Sequence, residues 1–146
     1  MILFDNTLFM QNQDYLPSRF VLQKEATVSI LNSVLQQSEN CVGIAPLAQP
    51  EHNYILTPTA NKPHLDTFIS KLRLDSNLQL SSVFLRSKIA LLNRKESDKK
   101  VLVFFGADIE GVEFDLVLMD LVRNIKSVLD SFIKVSLVLF GEKAGC

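Results

Sequence analysis

The 146-residue chain has no tryptophan, two cysteines and two histidines, and neither sign of charge is in clear excess. Cys41 and Cys146 cannot build a disulfide framework, and Cys41 is expected to be a small buried apolar residue. His52 and His64 are isolated, so zinc lacks a set of ligands. The formal net charge of −1 argues against nucleic acid as a partner, since binding it needs a basic excess.

Long apolar runs and the common catalytic loops are also missing. No stretch approaches the ~18 apolar residues of a membrane span, and Met1–Asp5 lacks the basic and apolar segments of a signal peptide. We therefore expect no membrane association, and a protein of the cytoplasm or nucleus. The phosphate-binding patterns G-x-x-x-x-G-K-[ST] and G-x-G-x-x-G and the nucleophile elbow G-x-S-x-G do not occur. We expect neither an enzyme nor a bound cofactor.

Hydrophobic residues make up 47% of the chain. Their pattern, together with the chain length, predicts one domain over residues 1–146 in which strands and helices alternate. Val21, Val28 and Leu35, with Leu31 between them, predict the buried face of the first helix. Pro46 is expected to cause a bulge or a broken bond in the second strand. The predicted strands are Met1–Phe4, Cys41–Ala48, His52–Thr57 (in a hairpin with the second), Val101–Phe105 and Val135–Phe140. The predicted helices are one of about five turns opened by Pro17, then Pro63–Leu72, Leu80–Asn93 and Val112–Leu129.

Strands that are apolar on both faces are typical of a mostly parallel sheet with helices on both sides. The sequence thus predicts an α/β, doubly wound fold. Such folds bind at the carboxyl ends of their strands, here represented by Asp5–Phe9 and Gly106–Gly111.

The segment Asp5–Arg19, DNTLFMQNQDYLPSR, resembles one family's opening motif, approximately D-N-S-x-aromatic-M-x-N-x-D-aromatic-x-P-[ST]-R. That family is proteasome non-ATPase regulatory subunit 4, the ubiquitin receptor of the 26S proteasome regulatory particle, whose opening belongs to a von Willebrand factor A (VWA) domain. Ser38–Ile44, SENCVGI, is similar to the family's P-E-N-x-V-G-L. Phe105-Gly106 and Phe140–Glu142 resemble the ends of its fourth and fifth strands.

The resemblance implies a VWA-like sheet and a noncatalytic scaffold role in ubiquitin-dependent protein degradation. It implies lid and base subunits of the regulatory particle as partners, a role in steadying lid–base association, and a location in cytoplasm and nucleus. In the family, ubiquitin is bound beyond this domain by helices that start with acidic residues. No such pattern occurs here, so we do not expect ubiquitin to bind this chain. The family continues into a further helix and edge strand, which implies that the C-terminal edge strand is missing and that a partner covers Val135–Phe140.

Many VWA domains bind Mg²⁺ through D-x-S-x-S after the first strand. Asp5 and Thr7 could supply two of the oxygen ligands that Mg²⁺ requires, but Phe9 offers none, and Ser82 and Asp108 match the remaining positions loosely. We expect no functional metal and treat Asp5, Thr7, Ser82 and Asp108 as vestigial candidates. Asp5 is then expected to cap the turn or to meet a cation of a partner.

Candidate partner contacts lie at the carboxyl edge and along the last strand. Asp5→Arg is expected to leave folding largely intact and to weaken assembly. Two alternatives remain open, a metal-dependent ligand-binding VWA domain and a VWA subunit of a transcription or DNA-repair assembly. The candidate contact residues are Asp5, Asn6, Thr7, Asn12, Tyr15, Arg19, Asp108, Val135, Leu137 and Leu139.

Overall fold

A computed structural model of the protein describes residues 1–11, 17–37, 39–49, 55–76, 78–94, 98–106 and 111–140. Strands and helices alternate along these residues as the apolar pattern predicts. The strands are β1 (Ile2–Phe4), β2 (Val42–Pro46), β3 (Leu56–Thr59), β4 (Lys100–Gly106) and β5 (Lys134–Phe140). The helices are α1 (Arg19–Val34), α2 (Lys62–Lys71), α3 (Leu80–Leu92) and α4 (Gly111–Leu129), with a 3₁₀ turn over Leu8–Gln11.

The five strands form one sheet in the order β3-β2-β1-β4-β5. β1 lies in the centre and pairs in parallel with both neighbours, Ile2 opposite Ile44 and Leu3 opposite Val103. β4 and β5 are also parallel, whereas β3 is antiparallel to β2. The mostly parallel α/β sheet is confirmed, with β3 starting later than predicted; residues 52–54 of that prediction lie outside the described residues.

The helices cover both faces of the sheet. Successive strand residues point to opposite faces, so Leu3 packs in the cluster that includes Phe84 of α3 and Leu121 of α4, while Ile2 packs with Leu31 of α1 and Leu65 of α2. The two clusters make two apolar layers, one on each side of the sheet. This is the doubly wound arrangement that the sequence predicts.

The prediction of a defect at Pro46 is wrong. Pro46 is the last residue of β2, where it lies opposite Phe4 of β1, and the ladder is already ending. The irregularity lies instead between Val42 and Ile44, in the pairing with β3. Gly43 permits it, because a Cβ there would lie 2.7 Å from the carbonyl oxygen of Leu56.

The buried face of α1 also differs from the prediction. Its buried residues are Arg19, Gln23, Thr27 and Leu31, spaced by four, whereas Val21 is exposed. Leu31 is buried and Val28 and Leu35 pack partly buried against the same cluster, as the apolar spacing predicts. The other three buried residues are polar, so that spacing does not reveal the amino-terminal half of the face. The helix begins at Arg19 after the N-cap Ser18, whose Oγ accepts a hydrogen bond from the Val21 N–H at 3.2 Å.

The turn after α4 contains a strained residue. Phe132 has φ of 63°, the left-handed region, and its side chain is 96% exposed. A residue with a Cβ pays roughly 1–2 kcal/mol there, and the exposed ring recovers little of this by packing.

We expect Phe132→Gly to raise the free energy of unfolding by about 0.5–1 kcal/mol, after the entropy that glycine adds to the unfolded chain is subtracted. Urea unfolding measures the change. Phe132→Ala is the matched control, because it removes the ring but keeps the Cβ, and it should give no such gain. Equal effects of the two variants would contradict the strain.

Candidate functional site

The candidate site lies at the carboxyl edge of the sheet, where β1 ends and Asp5 begins. The Asp5 carboxylate is buried, and both of its oxygens accept hydrogen bonds. Oδ2 accepts the N–H of Gly106, the last residue of β4, at 2.7 Å. Oδ1 accepts the N–H and the hydroxyl of Thr7 at 3.0 and 2.8 Å. The carboxylate thus accepts the β4 hydrogen bond that a main-chain carbonyl of a longer β1 would accept. It also fixes the turn from Asp5 to Thr7.

The main chain of Asp5 is paired by a side-chain amide from α1. The Asp5 N–H donates to Oε1 of Gln23 at 3.1 Å, and Nε2 of Gln23 donates to the Asp5 carbonyl at 2.8 Å. The same Nε2 lies 3.1 Å from Sδ of Met10. A primary amide carries one acceptor and two donors, so it can replace the peptide group of a neighbouring strand. Gln23 holds α1 against the end of β1 in this way.

On the other side of β1, the side-chain amide of Asn6 pairs the main chain of Ala48. Its Oδ1 accepts the N–H of Ala48 at 2.8 Å, and its Nδ2 donates to the Ala48 carbonyl at 2.6 Å. Nδ2 also donates to the carbonyl of Arg73 at 2.9 Å, and the N–H of Asp75 donates to the Asn6 carbonyl at 2.9 Å. Asn6 therefore joins the segment after β2 to the segment between α2 and α3. We call Asp5, Asn6 and Gln23 the junction.

Burial dominates the electrostatics of the junction. It raises the pKa of the Asp5 carboxyl above its usual value, against the hydrogen bonds from Gly106 and Thr7 and the positive charge of Arg19. Arg19 is itself buried, on the face of α1 that meets the junction. A buried carboxylate with bound donors and a nearby cation is compensated, and removing its partners would be costly.

This geometry corrects part of the predicted contact surface. Asp5, Asn6, Thr7 and Arg19 are all buried, so their side chains offer almost no area to a partner. Their role is structural: Asp5 and Asn6 supply hydrogen-bond partners to neighbouring segments beyond the end of β1, and Thr7 donates to Asp5. Asp5 caps the turn, the first of the two roles that the sequence left open.

The other candidates are distributed differently. Asn12, Tyr15 and Asp108 lie outside the described residues. Ser82 is partly buried in the first turn of α3. Val135, Leu137 and Leu139 lie on β5 at the end of the strand order, where Leu137 and Leu139 are exposed.

Of the four vestigial metal candidates, Asp5 and Thr7 are bonded to other groups of the protein. The Thr7 hydroxyl donates to Asp5, and the Asp5 oxygens accept protein hydrogens. Within the described ranges, no group of three or more histidine, cysteine, aspartate or glutamate residues is placed to hold a metal ion. Across the same ranges, no helix is both long and apolar enough to cross a membrane.

Gln23 is the junction residue to which the sequence analysis gave no role. The signal that could have found it is the spacing of Arg19, Gln23 and Thr27, three polar residues four apart on one helical face. Such a stripe is buried only when each member finds a hydrogen-bond partner or an opposite charge. Thr27 fits this rule, since its hydroxyl donates to the Gln23 carbonyl at 2.7 Å.

An exposed surface surrounds the buried junction. Leu8 follows Thr7 and is 48% exposed. On α1, Lys24 lies over the ring of Phe20 at 4.5 Å and donates to the Leu72 carbonyl at 3.2 Å. Partial burial and the positive charge of Arg73 lower the pKa of Lys24. Among the described residues, this edge therefore presents an apolar side chain and two neighbouring cations to solvent.

A separate cleft of about 880 Å³ lies at the opposite, amino-terminal edge of the sheet. Its lining includes Cys41, Arg94 and Lys100. The expectation that Cys41 is a buried apolar residue is wrong, because it is only partly buried and its Sγ lies 3.4 Å from Nη2 of Arg94. The thiol lies far from the junction, at the other end of the strands.

Residues 1–110, well over half of the chain, match the family model of the von Willebrand factor type A domain. The protein therefore belongs to the VWA domain family. Solved structures agree: the SpRpn10 VWA domain superposes with a TM-score of 0.76 at 24% identity, covering 99% of this chain and 76% of that one. BatB from Bacteroides thetaiotaomicron has a TM-score of 0.70 at 16% identity, over 93% of this chain and 63% of that one.

The similar curated proteins are 26S proteasome subunits. The chain is 27% identical to the non-ATPase regulatory subunit 4 homolog of Oryza sativa subsp. japonica, over 97% of this chain and 35% of that protein. It is 30% identical to the homolog of Arabidopsis thaliana, over 97% of this chain and 36% of that protein. It is 25% identical to regulatory subunit rpn10 of Schizosaccharomyces pombe, over 97% of this chain and 58% of that protein. The resemblance seen in the opening motif is confirmed; the chain spans little more than a third of the two plant proteins.

The burial of Asp5 reverses the sequence-based expectation for Asp5→Arg. A second buried cation beside Arg19 would remove the acceptor of Gly106 and add like charge, so we expect a loss of about 3–5 kcal/mol in unfolding free energy. Urea unfolding measures it. Asp98→Arg is the control, since Asp98 is exposed and the same exchange there should cost little. A stably folded Asp5→Arg protein would contradict the structural role.

The amide pairing predicts a second result. Gln23→Leu keeps the volume of the side chain but leaves the buried N–H and carbonyl of Asp5 without their partner. We expect a loss of about 2–4 kcal/mol, since each unsatisfied buried group costs about 1–3 kcal/mol. Chemical denaturation beside Gln37→Leu, an exposed glutamine, tests this. Comparable stability of the two variants would show that Gln23 contributes packing alone.

Proposed function

We propose that this chain is a noncatalytic scaffold domain of a 26S proteasome regulatory subunit, acting in ubiquitin-dependent protein degradation. The observation that carries the proposal is its similarity, over 97% of its length, to proteins named as 26S proteasome regulatory subunits. The proposed role is to bind lid and base subunits and to stabilise their association. The proposed location, cytoplasm and nucleus, follows from that role.

The junction supports the noncatalytic part of the proposal. Asp5, Asn6 and Gln23 use their polar groups for internal hydrogen bonds at 2.6–3.1 Å. An acid–base catalyst needs a proton-transfer group within reach of a substrate. The Asp5 carboxyl is buried, and both of its oxygens accept hydrogen bonds from the protein. It is therefore not in reach of a substrate. Ubiquitin binding through this chain is not part of the proposal.

The carboxyl edge is the surface proposed for docking. Protein interfaces draw most of their affinity from a few residues, among which arginine is enriched. Arg73 is exposed and its carbonyl is held by Asn6, Leu8 beside the junction adds exposed apolar area, and Lys24 is held by its bond to the Leu72 carbonyl. Asn12, Tyr15 and Asp108 stay as predicted contacts on the same edge by sequence.

Leu8→Asp tests this surface in the intact chain. We expect affinity capture from native extract, read by mass spectrometry, to recover lid and base subunits in comparable amounts with the wild type and several-fold less with Leu8→Asp, since a charge in an apolar contact is not compensated. Ile89→Asp is the matched control, because Ile89 on α3 is also 48% exposed but lies further along its helix from the edge.

Recovery of neither class of subunit by a stably folded wild-type chain would contradict the proposal. Equal loss with Leu8→Asp and Ile89→Asp would contradict the choice of surface. Titration of Mg²⁺ into the same purified protein separates the metal-dependent alternative, in which binding of a ligand would depend on the ion.

A further inference from the structure

Two cations meet at the carboxyl end of α2. Nζ of Lys24 donates a hydrogen bond to the Leu72 carbonyl at 3.2 Å, and Nη1 of Arg73 donates to the same oxygen at 3.1 Å. Nη1 also donates to the Ser70 carbonyl at 3.3 Å. Leu72 is the C-cap of α2, and the last carbonyls of a helix carry a partial negative charge that favours cations. The end of one helix therefore holds a lysine from α1 and an arginine side by side.

Most of the donors on these two side chains are unused. A guanidinium has five N–H groups and an ammonium has three, but among the described residues Arg73 bonds through Nη1 alone and Lys24 makes one hydrogen bond. No described carboxylate forms an ion pair with either cation; an ion pair on α2 joins Lys62 to Asp66 instead. Partial burial, and then the positive charge of Arg73, lowers the pKa of Lys24, whereas a carboxylate in contact would raise it. The pair is thus a double positive charge that the described residues do not neutralise.

Both cations are held in place from the core. Lys24 lies over the ring of Phe20, with Nζ 4.5 Å from the ring centre, and that ring packs edge-on against Phe4 at 5.7 Å. The Arg73 carbonyl accepts a hydrogen bond from Asn6 of the junction at 2.9 Å. Arg73 is exposed and Lys24 is partly exposed, so an incoming group can reach both. Side chains that are already ordered lose less conformational entropy when a ligand binds.

The chemistry of the site favours a carboxylate over a phosphate. Phosphate sites combine cations with main-chain N–H groups, as at a helix N-terminus. Here the main-chain groups that face the cations are the carbonyls of Ser70 and Leu72, which repel a second negative charge. A carboxylate carries a single charge, and its two oxygens match the N–H groups of a guanidinium. Two cations in a chain of net charge −1 also fall short of the basic tract that a nucleic acid requires.

The cation pair belongs to the same surface as the exposed apolar residue of the carboxyl edge. Thr7 forms an isolated bridge with Asp75, two residues after Arg73, and Leu8 follows Thr7. We propose that Lys24 and Arg73 bind the carboxylate of an aspartate or glutamate of the protein that docks on this edge, beside its apolar contact with Leu8. This inference rests on the proposed function and adds the chemistry of the partner, which is complementary to the surface in charge and in apolar area.

Charge reversal tests the site in the intact chain. Lys24→Glu and Arg73→Glu would each repel the carboxylate of the partner, so affinity capture from native extract should recover several-fold less of the lid and base subunits. Lys24→Arg keeps the charge and should capture as well as the wild type. Lys88→Glu is the matched control: Lys88 is also partly buried and donates to one oxygen, Oγ of Ser127 at 3.1 Å, but lies on α3 on the opposite face of the sheet.

Capping of α2 alone is the other role that the pair could have. In that case the charge reversals would lower the free energy of unfolding, measured with urea, but the folded variants would capture subunits as well as Lys88→Glu does. That result, with capture still lost in Leu8→Asp, would overturn the carboxylate site and leave the proposed function intact.

A titration of the purified chain separates the failure of the site from the failure of the proposed function. We expect a hexaglutamate peptide to shift the amide NMR signals of Leu72 and Arg73 in the wild type, and to bind about tenfold more weakly to the double variant Lys24→Gln/Arg73→Gln. If the wild type captures neither class of subunit but responds to the peptide at these residues, the proposed function fails and the site stands. No response there, or a stronger response to inorganic phosphate at equal concentration, would overturn the site.

Discussion

A short central strand is the constraint on which this structure depends. β1 has three residues, whereas β4 continues past its end to Gly106, and the chain that follows β2 runs beside Asn6 as far as Ala48. The N–H of Gly106 and both main-chain groups of Ala48 would be left without a neighbour in the interior. Asp5 and Asn6 supply the missing partners with their side chains, and Gln23 pairs the main chain of Asp5 in turn. Without these groups, the buried edge would contain several unsatisfied polar atoms.

The same residues decide what the carboxyl edge can do. In a doubly wound fold this edge is the usual place for a ligand, and Asp5 with Thr7 resembles the start of a metal-binding motif. Here the Thr7 hydroxyl and both oxygens of Asp5 are used inside the protein. Among the described residues, Leu8, Lys24 and Arg73 lie around this hydrogen-bonded centre. These are the side chains on which the proposed docking role depends.

The sequence predicts the order of the elements well because apolar strands and helices are strong signals over several residues. β4 and α4 lie close to their predicted positions for that reason. The polar part of the buried face of α1 could not be predicted in this way, since Gln23 is buried by hydrogen bonds to Asp5, 18 residues away, and Thr27 by a bond back to the Gln23 carbonyl. The same limit explains Asp5, which looks like an exposed residue after a strand until Gly106 is placed beside it.

The central position of β1 has a consequence for biosynthesis. β1 is synthesised long before β4: the hydrogen bond from Gly106 to Asp5 closes a separation of 101 residues, and the pairing with β4 begins only at residue 102. At ribosomal speeds of about 5–20 residues per second, the apolar segment 1–4 waits roughly 5–20 s for its partner. Throughout that interval β1 can pair with β2 on one side, but its β4 side and the Asp5 carboxylate lack their final partners. The centre of this sheet is therefore among the last parts of the domain to be completed, since contacts between residues so far apart in the chain form slowly.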